Sequence, residues 1–174
     1  MDNKKKSQFI EYFLKGIKNS NQLKIGVEHE RFLFEGQNKK RISYETLKRL
    51  FENLKKSGWS PIFEKENIIG MQRNNQQITT EPGLQCELSG APLENVHQVC
   101  SESSNFLKEI QLASKGLDLN TVSIGFDPFN NLSDVPRSPK QRYNIMTKEM
   151  PKGGSQSLET VSYTHLTLPT ILLV

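Results

Sequence analysis

The sequence predicts a mixed α+β fold with meandering antiparallel strands. Three observations carry that expectation. Apolar residues recur at helical spacing in three separated stretches, while the segments between them are short, extended and broken by turn residues. Two of the extended segments, "IGVEHERFLF" and "GLQCELSG", alternate their residue types with the period of a half-buried strand. Within residues 59–90 the consecutive extended pieces are joined by short turns rather than by helices, which favours meandering antiparallel pairing there.

In chain order, residues 5–18 place Phe9, Tyr12, Phe13 and Ile17 on one side of an amphipathic helix. Residues 23–36 read as extended. "SYETLKRLFENLKKSG" sets Leu47, Leu50, Phe51 and Leu54 on one face, with Ser43 as N-cap and Gly58 as stop. Residues 59–90 break into short strands punctuated by Pro61, Asn74-Asn75 and Pro82-Gly83, the pattern of hairpins. From Pro92 to Lys115 a second helical pattern carries Leu93, Val96, Val99, Phe106, Leu107 and Ile110, with Gly116 as its stop. "LNTVSIGFDP" at 119–128 reads as a further strand, 129–139 as a loop, and 140–149 as a short helix.

Composition narrows the function classes. The chain has 174 residues, enough for one domain or part of a larger one, with 34% hydrophobic and 24% charged residues. A net charge of +4 permits an anionic small-molecule partner such as a nucleotide. The runs "KKK" at 4–6 and "KKR" at 39–41 read as solvated surface, and no basic stripe interleaved with aromatics points to nucleic acid. Two cysteines, Cys86 and Cys100, are too few for a disulfide framework and read as buried packing residues. No secretory signal and no apolar run near the ~20 residues of a bilayer span is present, so the expectation is a cytoplasmic protein with no membrane partner.

The chemistry-bearing residues are carboxylates. Period-two alternation sends Glu28 and Glu30 to one face of their strand and Val27, His29 and Arg31 to the other. In "GLQCELSG", Leu84, Cys86 and Leu88 share the core side, and Gln85 and Glu87 the opposite one. Glu81 stands at the Pro-Gly corner between strands. If the segments share a sheet, Glu28, Glu30, Glu81 and Glu87 converge on an oxygen-rich cluster suited to Mg²⁺ or Mn²⁺. The competing reading is a solvent-facing acidic sheet surface with Glu81 as a turn residue. "HE" at 29–30 lacks the second histidine of a zinc-protease helix, and there is no P-loop or dinucleotide fingerprint.

The blocks "IGVEHERFLF", "IIGMQRNNQQITTEPGLQCELSGAPLENVHQ", "SIGFDP" and "PKQRYNIMTKEMPKGG" resemble, in order, the N-terminal part of the plant and proteobacterial type of glutamate–cysteine ligase. The most specific, "EPGLQCELSGAP", departs from that family's usual E-P-G-G-Q-x-E-L-S-G-A-P at Leu84 and Cys86. The resemblance implies a curved antiparallel sheet flanked by helices, like that of glutamine synthetase, of which this chain would carry an incomplete part. It implies an ATP- and magnesium-dependent joining of the γ-carboxyl of L-glutamate to the amine of L-cysteine through γ-glutamyl phosphate, the first step of glutathione synthesis. It further implies Glu28, Glu30, Glu81 and Glu87 as metal ligands, Arg142 and Tyr143 as contacts to substrate or phosphate, and Gln85 and Ser89 as pocket residues for ATP. A relative with another amine substrate, or a non-catalytic metal- or nucleotide-binding fragment, stands as the alternative.

The family's T-x-x-x-Q-x-N-x-D block does not follow "MPKGG". Instead the uncharged "VSYTHLTLPTILLV" resembles the in-frame translation of a sequencing-adapter end. The expected organisation is therefore the N-terminal part of a catalytic domain over 1–160 and a non-native tail over 161–174. The expected activity of such a fragment alone is low.

Overall fold

A computed structural model describes residues 3–19, 22–163 and 169–170. The elements run α1 (Asn3–Lys15), β1 (Gly26–Glu35), β2 (Lys40–Arg41), α2 (Tyr44–Leu54), β3 (Ser60–Glu64), β4 (Asn67–Arg73), β5 (Gln76–Thr80), β6 (Cys86–Ser89), α3 (Val96–Ala113), β7 (Leu119–Val122), α4 (Gln141–Gly153), α5 (Ser157–Tyr163) and β8 (Pro169–Thr170). The strands form one open sheet in the order β2-β1-β6-β5-β4-β3, with β7 and β8 also paired to β1. Every pairing is antiparallel. The α+β class expected from the sequence is what the chain adopts.

Local chemistry explains the elements. Ser43 caps α2 by accepting from the Thr46 amide at 3.2 Å, and the helix tightens into a 3-10 turn that ends on Gly58 at φ +84°. The β4–β5 hairpin turns through Asn74 at φ +52°, a conformation asparagine tolerates better than most side chains. One face of the sheet packs against α2 and α3. Leu33, Met71, Ile78, Cys86 and Leu88 meet Leu47, Leu50, Phe51 and Leu54 of α2 and Phe106, Ile110 and Ala113 of α3. Gly90, after β6, is required by a close approach. The Glu102 carboxylate crosses where its Cβ would stand, and one oxygen of that carboxylate accepts from the Ala91 amide at 2.8 Å and from Gln76 at 2.6 Å.

Four sequence expectations change. β7 ends at Val122, short of the expected strand, and Asp127 beyond it is fully buried. The apolar side of α1 is solvent-exposed, with Phe9 at 60%, Tyr12 at 75% and Phe13 at 71%. Cys100 is exposed rather than packed, because α3 commits Phe106, Ile110 and Ala113 to the sheet, and only Cys86 is buried. The fourth is Arg41, in the "KKR" run, which is 3% exposed instead of lying on a solvated surface. The reason is its partner: Arg41 Nη1 meets Asp127 Oδ2 at 3.1 Å with both side chains fully buried.

Candidate functional site

The acidic face is assembled by β1, β6 and the five-residue turn that joins β5 to β6. The register places Glu30 opposite Glu87 and Glu28 opposite Ser89, while Glu87 is flanked on its other side by Thr79 of β5. Residues directly opposite in an antiparallel pair share a face, with Cβ atoms about 5 Å apart. Glu28, Glu30 and Glu87 therefore project from the side of the sheet away from the helical core. Glu30 is buried, whereas Glu28, Glu81 and Glu87 are partly exposed.

Glu81 is delivered by the turn. Its amide donates to the Gln85 carbonyl at 2.9 Å, and its carbonyl accepts from the Leu84 amide at 2.9 Å. This tight closure forces Leu84 to φ +60°. The glycine usual in the resembled family would adopt that backbone without strain. Leucine adopts it while fully buried in the core. Leu84→Gly should relieve about 1–2 kcal/mol of left-handed strain. It would also forfeit about 1.5–3 kcal/mol of burial. The net expected loss, read from urea unfolding, is about 1 kcal/mol, well below an ordinary buried-leucine truncation.

The electrostatics match a like-charge cluster. Burial raises the Glu87 carboxyl above its ordinary range, and Glu81 and Glu28 push it further, with only partial relief from the Ser89 hydroxyl, which donates to it at 3.1 Å. Burial likewise raises Glu81, against the pull of Lys140 and Arg142, with Glu28 adding to the rise. Glu81, Glu87 and Glu28 thus share one electrostatic neighbourhood. Among the described residues no three His, Cys, Asp or Glu side chains stand close enough together to hold a metal ion as they are placed. The donor set is still oxygen-only, partly buried and held by repelling carboxylates, which fits a hard divalent cation that keeps waters or phosphate oxygens as its other ligands.

Cations border the acids. Arg142 at the start of α4 is exposed, donates to the Tyr143 hydroxyl at 2.8 Å and lies over its ring at 4.8 Å. Tyr143 is buried, donates to the Thr80 carbonyl at 2.9 Å, and has its phenol pushed up to about 12 by burial. Of the pocket residues expected for ATP, Ser89 joins the carboxylates directly. Gln85 is fully buried and donates weakly to the Val161 carbonyl at 3.4 Å. Sequence reasoning passed over Lys140, Ser138, Arg41 and Asp127. Lys140 lay in plain view beside Arg142 in "PKQRY" and Asp127 within "SIGFDP", but no periodicity marks a side chain that turns inward from a loop.

Comparison with known proteins decides the family. Residues 24–167 match the family Glutamate-cysteine ligase family 2 (GCS2). The chain belongs to this family. The family is a ligase family, and the acidic face lies wholly inside the matched residues. Among curated relatives, the chain is 39% identical over 155 residues to the chloroplastic glutamate–cysteine ligase of Medicago truncatula, covering 88% of this chain and 30% of that protein. It is 39% identical to the chloroplastic glutamate–cysteine ligase A of Oryza sativa subsp. japonica, again over 88% of this chain and 32% of the relative. Identity to the chloroplastic enzyme of Arabidopsis thaliana is 36%, over 88% of this chain and 30% of that protein. The chain therefore spans about a third of the length of these relatives.

Proposed function

We propose that this chain carries the acidic, phosphate-facing part of an ATP-dependent ligase that joins the γ-carboxyl of L-glutamate to the amine of L-cysteine, the first step of glutathione synthesis. The observation that supports the reading is the shared sheet face of Glu28, Glu30 and Glu87, with Glu81 in the same electrostatic neighbourhood, within a chain of this family. Glu28, Glu30, Glu81 and Glu87 would hold Mg²⁺ or Mn²⁺. Such an ion supplies positive charge where ATP phosphates and a substrate carboxylate must approach one another.

The chain's own residues prepare that approach. Arg142 presents an exposed guanidinium next to Glu81 and Glu87, suited to a phosphate or carboxylate oxygen. Tyr143 anchors it from below by its hydroxyl and ring. Ser89 keeps the Glu87 carboxylate aligned on the strand. Formation of γ-glutamyl phosphate, and its attack by the cysteine amine, would take place over this face.

The test is the full reading frame, expressed and assayed for ADP release with glutamate plus cysteine and with glutamate plus other amines. The expected result is cysteine-dependent ADP release that falls about 100-fold or more in Glu28→Gln, as for loss of a direct metal ligand. ADP release with other amines and none with cysteine would reassign the substrate. No ADP release with any amine would favour a non-catalytic binding protein.

A further inference from the structure

Three carbonyls around Glu81 are each taken by a donor from a segment distant in sequence. The Thr80 carbonyl accepts from Lys140 Nζ at 2.8 Å and from the Tyr143 hydroxyl. The Pro82 carbonyl accepts from the Ser138 amide at 3.0 Å, and the Ser138 and Thr80 hydroxyls meet at 2.8 Å. The Gly83 carbonyl accepts from Arg41 Nη2. Arg41 is itself fixed by Asp127 and by stacking over Phe32 at 4.5 Å. Asp127 is held in turn by the amides of Phe129 and Asn130 at 2.9 and 3.2 Å.

A turn on a protein surface has its carbonyls solvated by water. Here two cations with little exposure, Lys140 at 6% and Arg41 at 3%, serve that purpose instead. Burying two cations is costly unless they are paired and hydrogen-bonded. Arg41 has a buried carboxylate. Lys140 has no salt-bridge partner among the described residues within 4.0 Å, and is held by one carbonyl, the Tyr143 ring at 5.4 Å and the field of Glu81 and Glu87. A fold that only needed a stable corner could use an apolar residue at 140. A lysine at this position makes sense if the corner must hold a carboxylate in one place.

We propose that Lys140 and the Arg41–Asp127 pair are positioning residues that fix the carbonyls on either side of Glu81 and so hold its carboxylate toward Glu28 and Glu87. The inference rests on the reading of that face as the phosphate-facing site, and extends it to three residues that act through the turn carrying Glu81. Clamping the turn from β2, from the 127–138 loop and from the start of α4 makes Glu81 the point where three otherwise separate segments meet.

The test uses the 174-residue chain, with amide hydrogen exchange as the readout and Mn²⁺ as the paramagnetic probe. Lys140→Met should speed exchange at the Glu81 and Leu84 amides about tenfold, the scale of one lost hydrogen bond to a charged group. Exchange at Ile78 and Leu88 and the melting temperature should stay near those of the parent, and Lys140→Arg should restore slow exchange. Unchanged exchange at Glu81 and Leu84 in Lys140→Met would overturn the proposal. So would a uniform rise across β5 and β6 that tracks a fall in melting temperature, the behaviour of an ordinary structural lysine. In the parent chain, Mn²⁺ should broaden the signals of Glu28, Glu81 and Glu87, and in Lys140→Met that of Glu81 should be broadened less. Local loosening without any Mn²⁺ broadening in the parent would support the clamp and remove the metal reading, so the two fail separately.

Discussion

Asp127→Ala is expected to destabilise the chain by about 3–5 kcal/mol, the cost of breaking a buried pair by removing one partner. The reasoning starts from burial: both side chains of the Arg41–Asp127 pair are fully excluded from solvent. Without the carboxylate, the guanidinium remains trapped between the Phe32 ring and the Gly83 carbonyl, and water cannot reach it without opening β2. The amides of Phe129 and Asn130 lose their acceptor at the same time. Urea unfolding should show a lower midpoint with an unchanged slope. Replacing both partners by apolar residues, Arg41→Met with Asp127→Leu, should recover most of that stability, because neither charge is then left buried alone. The recovered protein should still exchange its Glu81 and Leu84 amides quickly, since the Gly83 carbonyl has lost its donor. A double variant no more stable than Asp127→Ala would show that the pair is not what holds this region together.

The arrangement of the strands was legible because their period is two and their turn residues are explicit. Ser43 and Gly58 bracket the second helix where the sequence places them, and Glu28, Glu30 and Glu87 share a face as alternation requires. Glu81 could be placed only loosely from its Pro-Gly corner; hydrogen bonds within the turn, and not a strand period, decide where it points. The inward-facing charges were not legible at all. Arg41 sits in a run of three basic residues, and nothing in "KKR" distinguishes the two that face solvent from the one that finds Asp127, eighty-six positions away. Charge runs are read as surface because an unpaired buried cation is prohibitive, and that rule fails where a distant loop supplies the counter-charge. Cys100 misled in the opposite direction: cysteine is a commonly buried residue type, but the register of its helix turned it outward.

Glu87→Gln should raise the stability of the metal-free chain while weakening Mn²⁺ binding about 100-fold, two effects of opposite sign from replacing one carboxylate by a neutral amide. Burial is the first cause of the raised Glu87 carboxyl, and Glu81 and Glu28 are the next. A carboxylate raised in the folded state binds its proton more tightly than the unfolded chain does. Its contribution to stability is therefore fully present below the ordinary value of 4.5 and is lost as pH rises through the folded value. Near neutral pH the parent carries this penalty and the glutamine variant does not, so the stability difference between them should grow from pH 4.5 upward and level off once Glu87 is ionised. Mn²⁺ should reverse the order, stabilising the parent by mass action and the variant hardly at all. Thermal unfolding at several pH values, with and without Mn²⁺, reads both effects in one series. A variant less stable than the parent without metal would mean that Glu87 is held by contacts that outweigh its repulsion. The acidic face would then be an ordinary part of the sheet surface rather than a site kept under strain for a cation.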